Sequence, residues 1–148
     1  MTYDQVLDLA SGGNKSARDY LLKMSAVFRV WDDCYDGDKS IDKDLANMVF
    51  SDLAFDLSRN EFYNEHRIVL ESFVFSAWNA WMDSNIWRGK EGIKGICAWF
   101  IRDYCNDLDQ LVAYLVRGAS YARQVSPIIR EYYLNRLAKN GIDGFVKE

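Results

Sequence analysis

Between Asn14 and Gly37 the apolar residues Ala17, Leu21, Met24, Phe28, Trp31 and Tyr35 follow one another at spacings of 4, 3, 4, 3 and 4. That alternation keeps six side chains on one stripe of an α-helix. A strand cannot do this, because its side chains change face at every residue. A stripe of this length has to be covered by another element, so the chain must build a helix-on-helix core. The single proline, Pro127, leaves long helices permitted almost everywhere else.

The rest of the chain reads the same way. A short first helix is expected over Asp4–Ala10, stopped by Gly12-Gly13, with Asn14 capping the long second helix and Gly37 ending it. The loop Asp38-Lys39-Ser40 leads to a third helix over Asp42–Leu57, with Leu45, Met48, Val49, Leu53 and Leu57 on its apolar side. A fourth, Glu61–Trp87, carries Phe62, Val69, Leu70, Phe73, Ala77, Ala80 and Trp81 inward. Arg88-Gly89-Lys90-Glu91-Gly92 is a turn. The fifth helix, Ile93–Arg117, has the seam Ile93, Cys97, Phe100, Tyr104, Leu108, Leu111 and Leu115, and Gly118 breaks it. Ser126-Pro127 starts a last helix that ends at Asn140-Gly141, with proline at the first helical position. Residues 142–148 read as a loose tail. No run of alternating β-branched residues is present, so the fold class is all-α: one domain, an up-and-down bundle of five or six helices.

Composition narrows the function classes. With 49% hydrophobic and 27% charged residues the chain is an ordinary globular one, and its five Trp, nine Tyr and eight Phe read as core rings. The start lacks a secretory pattern and no apolar run approaches bilayer length, which points to the cytoplasm and to no membrane partner. Cys34, Cys97 and Cys105 read as reduced core thiols, and with one histidine a structural zinc site is not expected. A net charge of −4 argues against general nucleic-acid binding. The charge is uneven, however. Nine acids lie between Trp31 and Glu61, whereas Arg117, Arg123, Arg130, Arg136 and Lys139 face only Glu131 in the segment 114–141. An acidic and a basic face are expected, the latter suited to phosphates or an acidic protein partner.

The acids carry the sharpest signal. Trp31-Asp32-Asp33-Cys34-Tyr35-Asp36-Gly37-Asp38 places four carboxylates at a helix C-terminus, where the helix dipole already disfavours negative charge. A divalent cation would resolve that conflict. At 100° per residue Asp32 lies roughly 60° and Asp36 roughly 100° from the seam, on one side, while Asp33 points outward. The fifth helix repeats the device: Asp103 and Asp107, again four apart, flank its seam, and Asp109 faces out. Asp32, Asp36, Asp103 and Asp107 are therefore the candidate metal ligands, for Mg²⁺ or Mn²⁺ ahead of Ca²⁺. The calcium-loop alternative, Asp36–Asp42, lacks glycine at its sixth position, which is Ile41, and glutamate at its twelfth, which is Asn47.

The run Asp32-Asp33-Cys34-Tyr35-Asp36 resembles the Asp-Asp-x-x-Asp motif of class I isoprenoid (terpenoid) synthases. That resemblance implies an all-helical enzyme in which Asp32 and Asp36 hold Mg²⁺ against a substrate diphosphate, opposite a second acidic helix. The match spans five residues. In the fifth helix Asn106-Asp107 begins the family's second motif, but Gln110 and Tyr114 stand where it requires Ser/Thr and an acid.

His66, on the inward side of the fourth helix, is a candidate base, and Arg102, with a basic residue of the last helix, is a candidate to neutralise a leaving phosphate. Asp52 and Asp56 either extend the acidic cleft or pair with arginines between helices. The expected function is a divalent-metal-dependent hydrolase or transferase acting on a phosphate- or diphosphate-bearing small molecule. The alternative is a non-catalytic helical interaction protein working through its acidic and basic faces.

Overall fold

In the computed structural model, which describes residues 1–37 and 41–140, the chain is an all-α bundle. Its helices are α1 (Tyr3–Ser11), α2 (Lys15–Asp36), α3 (Lys43–Ser51), α4 (Glu61–Trp87), α5 (Ile93–Arg102) and α6 (Leu108–Asn140). α3 runs on through a wide π-type turn, Asp52–Asp56, and a tight 3-10 turn, Leu57–Arg59. A second 3-10 turn, Asp103–Asp107, joins α5 to α6. The loop Asp38-Lys39-Ser40, Gly141 and the tail 142–148 lie outside the described residues.

The helix ends at Gly12, Asn14 and Gly37 are those expected from the sequence, and Thr2 and Asn60 supply further caps. Thr2 and Gln5 form a reciprocal capping box on α1, and Gly12 closes it in the left-handed conformation at φ 54°. Asn14 caps α2 and Gly37 ends it at φ 64°. Asn60 caps α4 and also ties it to α2: its amide nitrogen donates to the Ser16 carbonyl at 2.9 Å, and the Ser16 hydroxyl donates back to its side-chain oxygen at 3.0 Å. Gly118 sits at φ 80°, ψ 177°, a conformation open only to glycine, and it bends α6 into two arms.

The core lies at one end of the bundle. Val6, Leu7 and Ala10 of α1, Tyr20, Leu21 and Met24 of α2, Phe62 and Leu70 of α4, and Leu108, Val112 and Ile129 of α6 are buried together. At the other end α4 and α5 form a hairpin whose buried residues are mostly small: Ala77 and Ser84 on α4, Gly95 and Ala98 on α5. The outer half of α2, beyond Met24, contributes no buried residue.

Several expectations are corrected. The α2 seam does not stay buried to its end: Tyr35 is 48% exposed, and Tyr104 is 38% exposed. Neither is a core residue. Each contacts one neighbouring ring, Tyr35 meeting Trp81 in a T-shaped pair with centroids 4.8 Å apart and Tyr104 meeting Phe73 at a tilt, 5.2 Å away. Val69, Met48 and Leu53 are exposed, as is Cys34. Ile93 and Phe100 face solvent because α5 turns its small residues, not its large ones, towards α4. The expected fifth helix is not continuous: it is interrupted by the 3-10 turn, where Asn106 donates to the Asp103 carboxylate at 3.1 Å. Short polar side chains of this kind compete for backbone partners and break helices. Pro127 does not start a helix either. The second arm of α6 is already helical before it, held by the buried Val125 and by the Tyr121 hydroxyl donating to the Leu9 carbonyl at 2.8 Å.

Packing therefore ranks the tyrosines. Tyr20→Ala is expected to lower stability by roughly 3–5 kcal/mol, as for any large aromatic removed from a core. Tyr35→Ala and Tyr104→Ala should each cost less than half of that. Chemical-denaturation midpoints check the order, and equal losses in all three would overturn it.

Candidate functional site

α2 leaves the core after Met24 and runs on beside the α4–α5 hairpin without packing tightly against it. A cleft of about 1080 Å³ opens along this outer half of α2. One wall is apolar, from Leu45 and Leu53 around α3 and Phe75 and Trp78 on α4. The other is mixed. Ser25, Phe28 and Asp32 of α2 face Arg102 of α5, Asp103, Cys105 and Asn106 of the turn, and Asp109, Tyr133 and Arg136 of α6, with Tyr3 closing one end.

The aspartates predicted as metal ligands divide between the end of α2 and the turn before α6, and three of the four, Asp32, Asp36 and Asp107, are held by arginines. Arg102 donates to Asp32 and, at 3.4 Å, to Asp36. Its guanidinium also donates to Asn85 at 2.7 Å and lies over the Trp81 ring, 4.9 Å from the centroid. Arg88 approaches Asp36 at 3.9 Å. Asp107 accepts from Arg130 of α6 at 2.9 Å and from Gln110 at 2.6 Å. The carboxylate conflict at the end of α2 is thus resolved by a guanidinium from α5. Among the described residues no group of three or more His, Cys, Asp or Glu side chains is placed to hold a metal ion. The set Asp32, Asp36, Asp103 and Asp107 does not fit the Mg²⁺ expected from the sequence, since oxygen-ligated cations need several converging ligands.

The other predicted residues divide. Arg102 is in the cleft, but as a structural cation rather than a free phosphate clamp. His66 is outside it: the ring packs on Phe62 with centroids 4.8 Å apart, and Nε2 stands 3.9 Å from Glu65. Asp52 is buried and pairs between helices as one alternative foresaw, with Lys23 of α2 at 2.9 Å in place of an arginine. Asp56 reaches Arg59, one turn on, at 3.9 Å.

The residue that sequence reasoning missed is Asp109. It was expected to face outward, yet it is 4% exposed, and its carboxylate accepts from the Tyr133 hydroxyl at 2.7 Å. The 3-10 turn explains the error. It advances 120° per residue against 100° in an α-helix, so five residues rotate everything after them by about 100°. The signal was present in the Asp/Asn-rich run Asp103–Asp109, whose residues favour interruption over helix interior.

Burial and neighbouring carboxylates set the protonation of this wall. Burial raises the Asp109 carboxyl from the usual 3.8 to about 6, with the Tyr133 hydrogen bond opposing and Asp107 adding. Asp103 is also raised, by burial against the opposing charge of Arg136. Burial drives the Cys105 thiol up to about 12, and Asp103, Asp109 and Asp32 all push it in the same direction. Tyr3 rises to about 12 through burial and Asp109, and Tyr133 rises further for the same reasons. Acids on this wall are held towards their protonated forms.

Two outcomes follow. Because arginines already hold Asp32, Asp36 and Asp107, millimolar Mg²⁺ should leave the melting temperature of the wild-type protein unchanged; a clear rise would restore the metal reading. Asp109 makes stability depend on pH. Between the ordinary 3.8 and about 6 the folded chain holds a proton that the unfolded chain has released. Stability should therefore fall as pH rises through that window and level off above it, with Asp103 and Asp107 contributing in the same sense. The denaturation midpoint of Asp109→Asn should show a shallower fall, and parallel profiles for variant and wild type would refute the assignment.

Compared with known proteins, the chain matches no protein-family model, no curated protein and no solved structure. The reading of the cleft rests on its own residues.

Proposed function

We propose that this chain is a small-molecule-binding helical bundle whose site is the cleft along the outer half of α2. The observation that carries the reading is the cleft itself, about 1080 Å³ between helices, with an apolar wall facing a mixed one. Ligand sites are typically of this size, mostly apolar, with a few convergent polar groups of perturbed pKa that fix orientation. Asp109, Tyr133 and Asp103 are such groups here. Trp31 and Trp78, which line the cleft and are each more than a third exposed, offer ring faces for an aromatic or aliphatic body.

Metal-assisted phosphoryl chemistry has less support from this geometry. It would need Asp32, Asp36 and Asp107 released from Arg102 and Arg130, and it would need the two separated groups to converge.

The neutral fluorophore Prodan tests the reading. It should bind saturably, one per chain, with blue-shifted emission, and Ser25→Phe, which puts a ring into the cleft, should abolish the binding while the helical circular dichroism persists. Absent or non-saturable binding, or binding indifferent to Ser25→Phe, would overturn it.

A further inference from the structure

The ligand class can be narrowed, on the reading that the cleft is a binding site. We propose that the cleft takes an organic ammonium ion: a protonated amine on an apolar, preferably aromatic, body. The ammonium would lie against Asp109 and Asp103, and the body among the tryptophans.

The charge inventory of the mixed wall supports this choice. Arg102 is the most enclosed cation there, and it is fully engaged by Asp32, Asp36, Asn85 and the face of Trp81. Asp109 has no cationic partner among the described residues; its hydrogen bond comes from the neutral Tyr133 hydroxyl, to Oδ2. No buried side-chain oxygen in the described residues lacks a partner, and no hydrogen bond to Asp109 Oδ1 is found among them. Asp109 itself lines the cleft. Asp103 accepts from the Asn106 amide at 3.1 Å and likewise forms no ion pair among the described residues. Arg136 bears on Asp103 only through its longer-range field.

Asp109 is buried and Asp103 partly buried, and neither forms an ion pair among the described residues, whereas the cleft-lining Arg29 and Arg136 are exposed to solvent. The desolvated charge is therefore negative, which makes an anionic ligand costly and a cationic one favourable. Burial, the largest cause of the raised proton affinity of Asp103 and Asp109, leaves both carboxylates short of hydration. A metal ion would need three or more ligating groups, which the wall does not bring together. An ammonium needs only one or two carboxylates and an aromatic face, and a cation is attracted to the ring face as Arg102 is to Trp81.

A matched set of probes tests the inference by displacement of Prodan: 1-naphthylmethylamine as the cation, 1-naphthalenemethanol as its neutral counterpart and 1-naphthoate as the anion. The amine should bind about tenfold more tightly than the alcohol, as for a hydrogen bond to a charged group, with the naphthoate weakest. In Asp109→Asn the amine-to-alcohol ratio should fall towards one, and Asp103→Asn should lower it in part, giving a second readout if the first variant folds poorly. A naphthoate that competes as well as the amine overturns the ammonium assignment, while Prodan binding keeps the cleft reading intact. A preference that survives both substitutions overturns the placement at these carboxylates. Failure of Prodan to bind at all removes both readings.

Discussion

The cleft depends on the guanidinium of Arg102. The inner half of α2 is held by the core through Tyr20, Leu21 and Met24, but its outer half has no fully buried residue and only Val27 and Phe28 packed, part-buried, against the core. Arg102 binds the last turn of that half through Asp32 and Asp36, and anchors the same guanidinium to α4 through Asn85 and Trp81. One planar donor thus links α2, α4 and α5. Its fork geometry lets it serve two carboxylates and an amide at once while stacking, which a lysine ammonium does not do. It also removes the repulsion that the acidic run would otherwise place at a helix C-terminus. Together with the ring contacts of Trp31 and Tyr35 on Trp81, it fixes the distance between the end of α2 and the hairpin, and the width of the cleft with it.

The second constraint is the change of helical phase between α5 and α6. A continuous helix from Ile93 to Arg117 would bury one stripe throughout. The 3-10 turn lets α5 present Gly95 and Ala98 to α4, and α6 present Leu108, Val112 and Ala113 to the core. The same rotation brings Asp109 inside, where Tyr133 of the second arm of α6 meets it. That meeting requires the arm to fold back, which the backbone of Gly118 permits. A buried carboxyl, a tight turn and a glycine break are parts of one arrangement, and its outcome is a polar wall on an otherwise apolar cleft.

The elements were largely legible in the sequence because their signals are local. Asn14, Gly37 and Gly12 cap helices by chemistry confined to a few neighbours. The core was legible where periodicity and tertiary packing agree, from Ala17 to Met24. It failed beyond, at Trp31 and Tyr35, because a seam says only which side chains share a face, not how far a partner extends along it. The site was half legible. The acidic run at Asp32–Asp36 marks one of its ends, but its counterion is Arg102, seventy residues further along the chain for Asp32, and long-range pairing leaves no trace in spacing. Asp109 was misplaced for a different reason: angular bookkeeping on a helix accumulates error through any turn that is not α, and the turn here precedes it.

The cleft also bears on why the bundle is divided as it is. Closing α2 onto the hairpin would bury Trp31, Trp78 and Tyr35, each now more than a third exposed, and large aromatics gain the most from burial. That gain is forgone at one end only. At the other, Tyr20, Phe62 and Leu70 pack without loss, and the Asn60 clip fixes α2 to α4. The core end supplies the stability, and the Arg102 end holds α2 at a set distance by polar contacts that tolerate adjacent solvent. Such contacts are weaker than core packing but directional, so they define a gap where apolar packing would collapse it. The forgone burial and Asp109, which forms no ion pair among the described residues, fall on the same cleft. Both are departures from what stability alone would favour, and departures of this kind concentrate where a protein binds something.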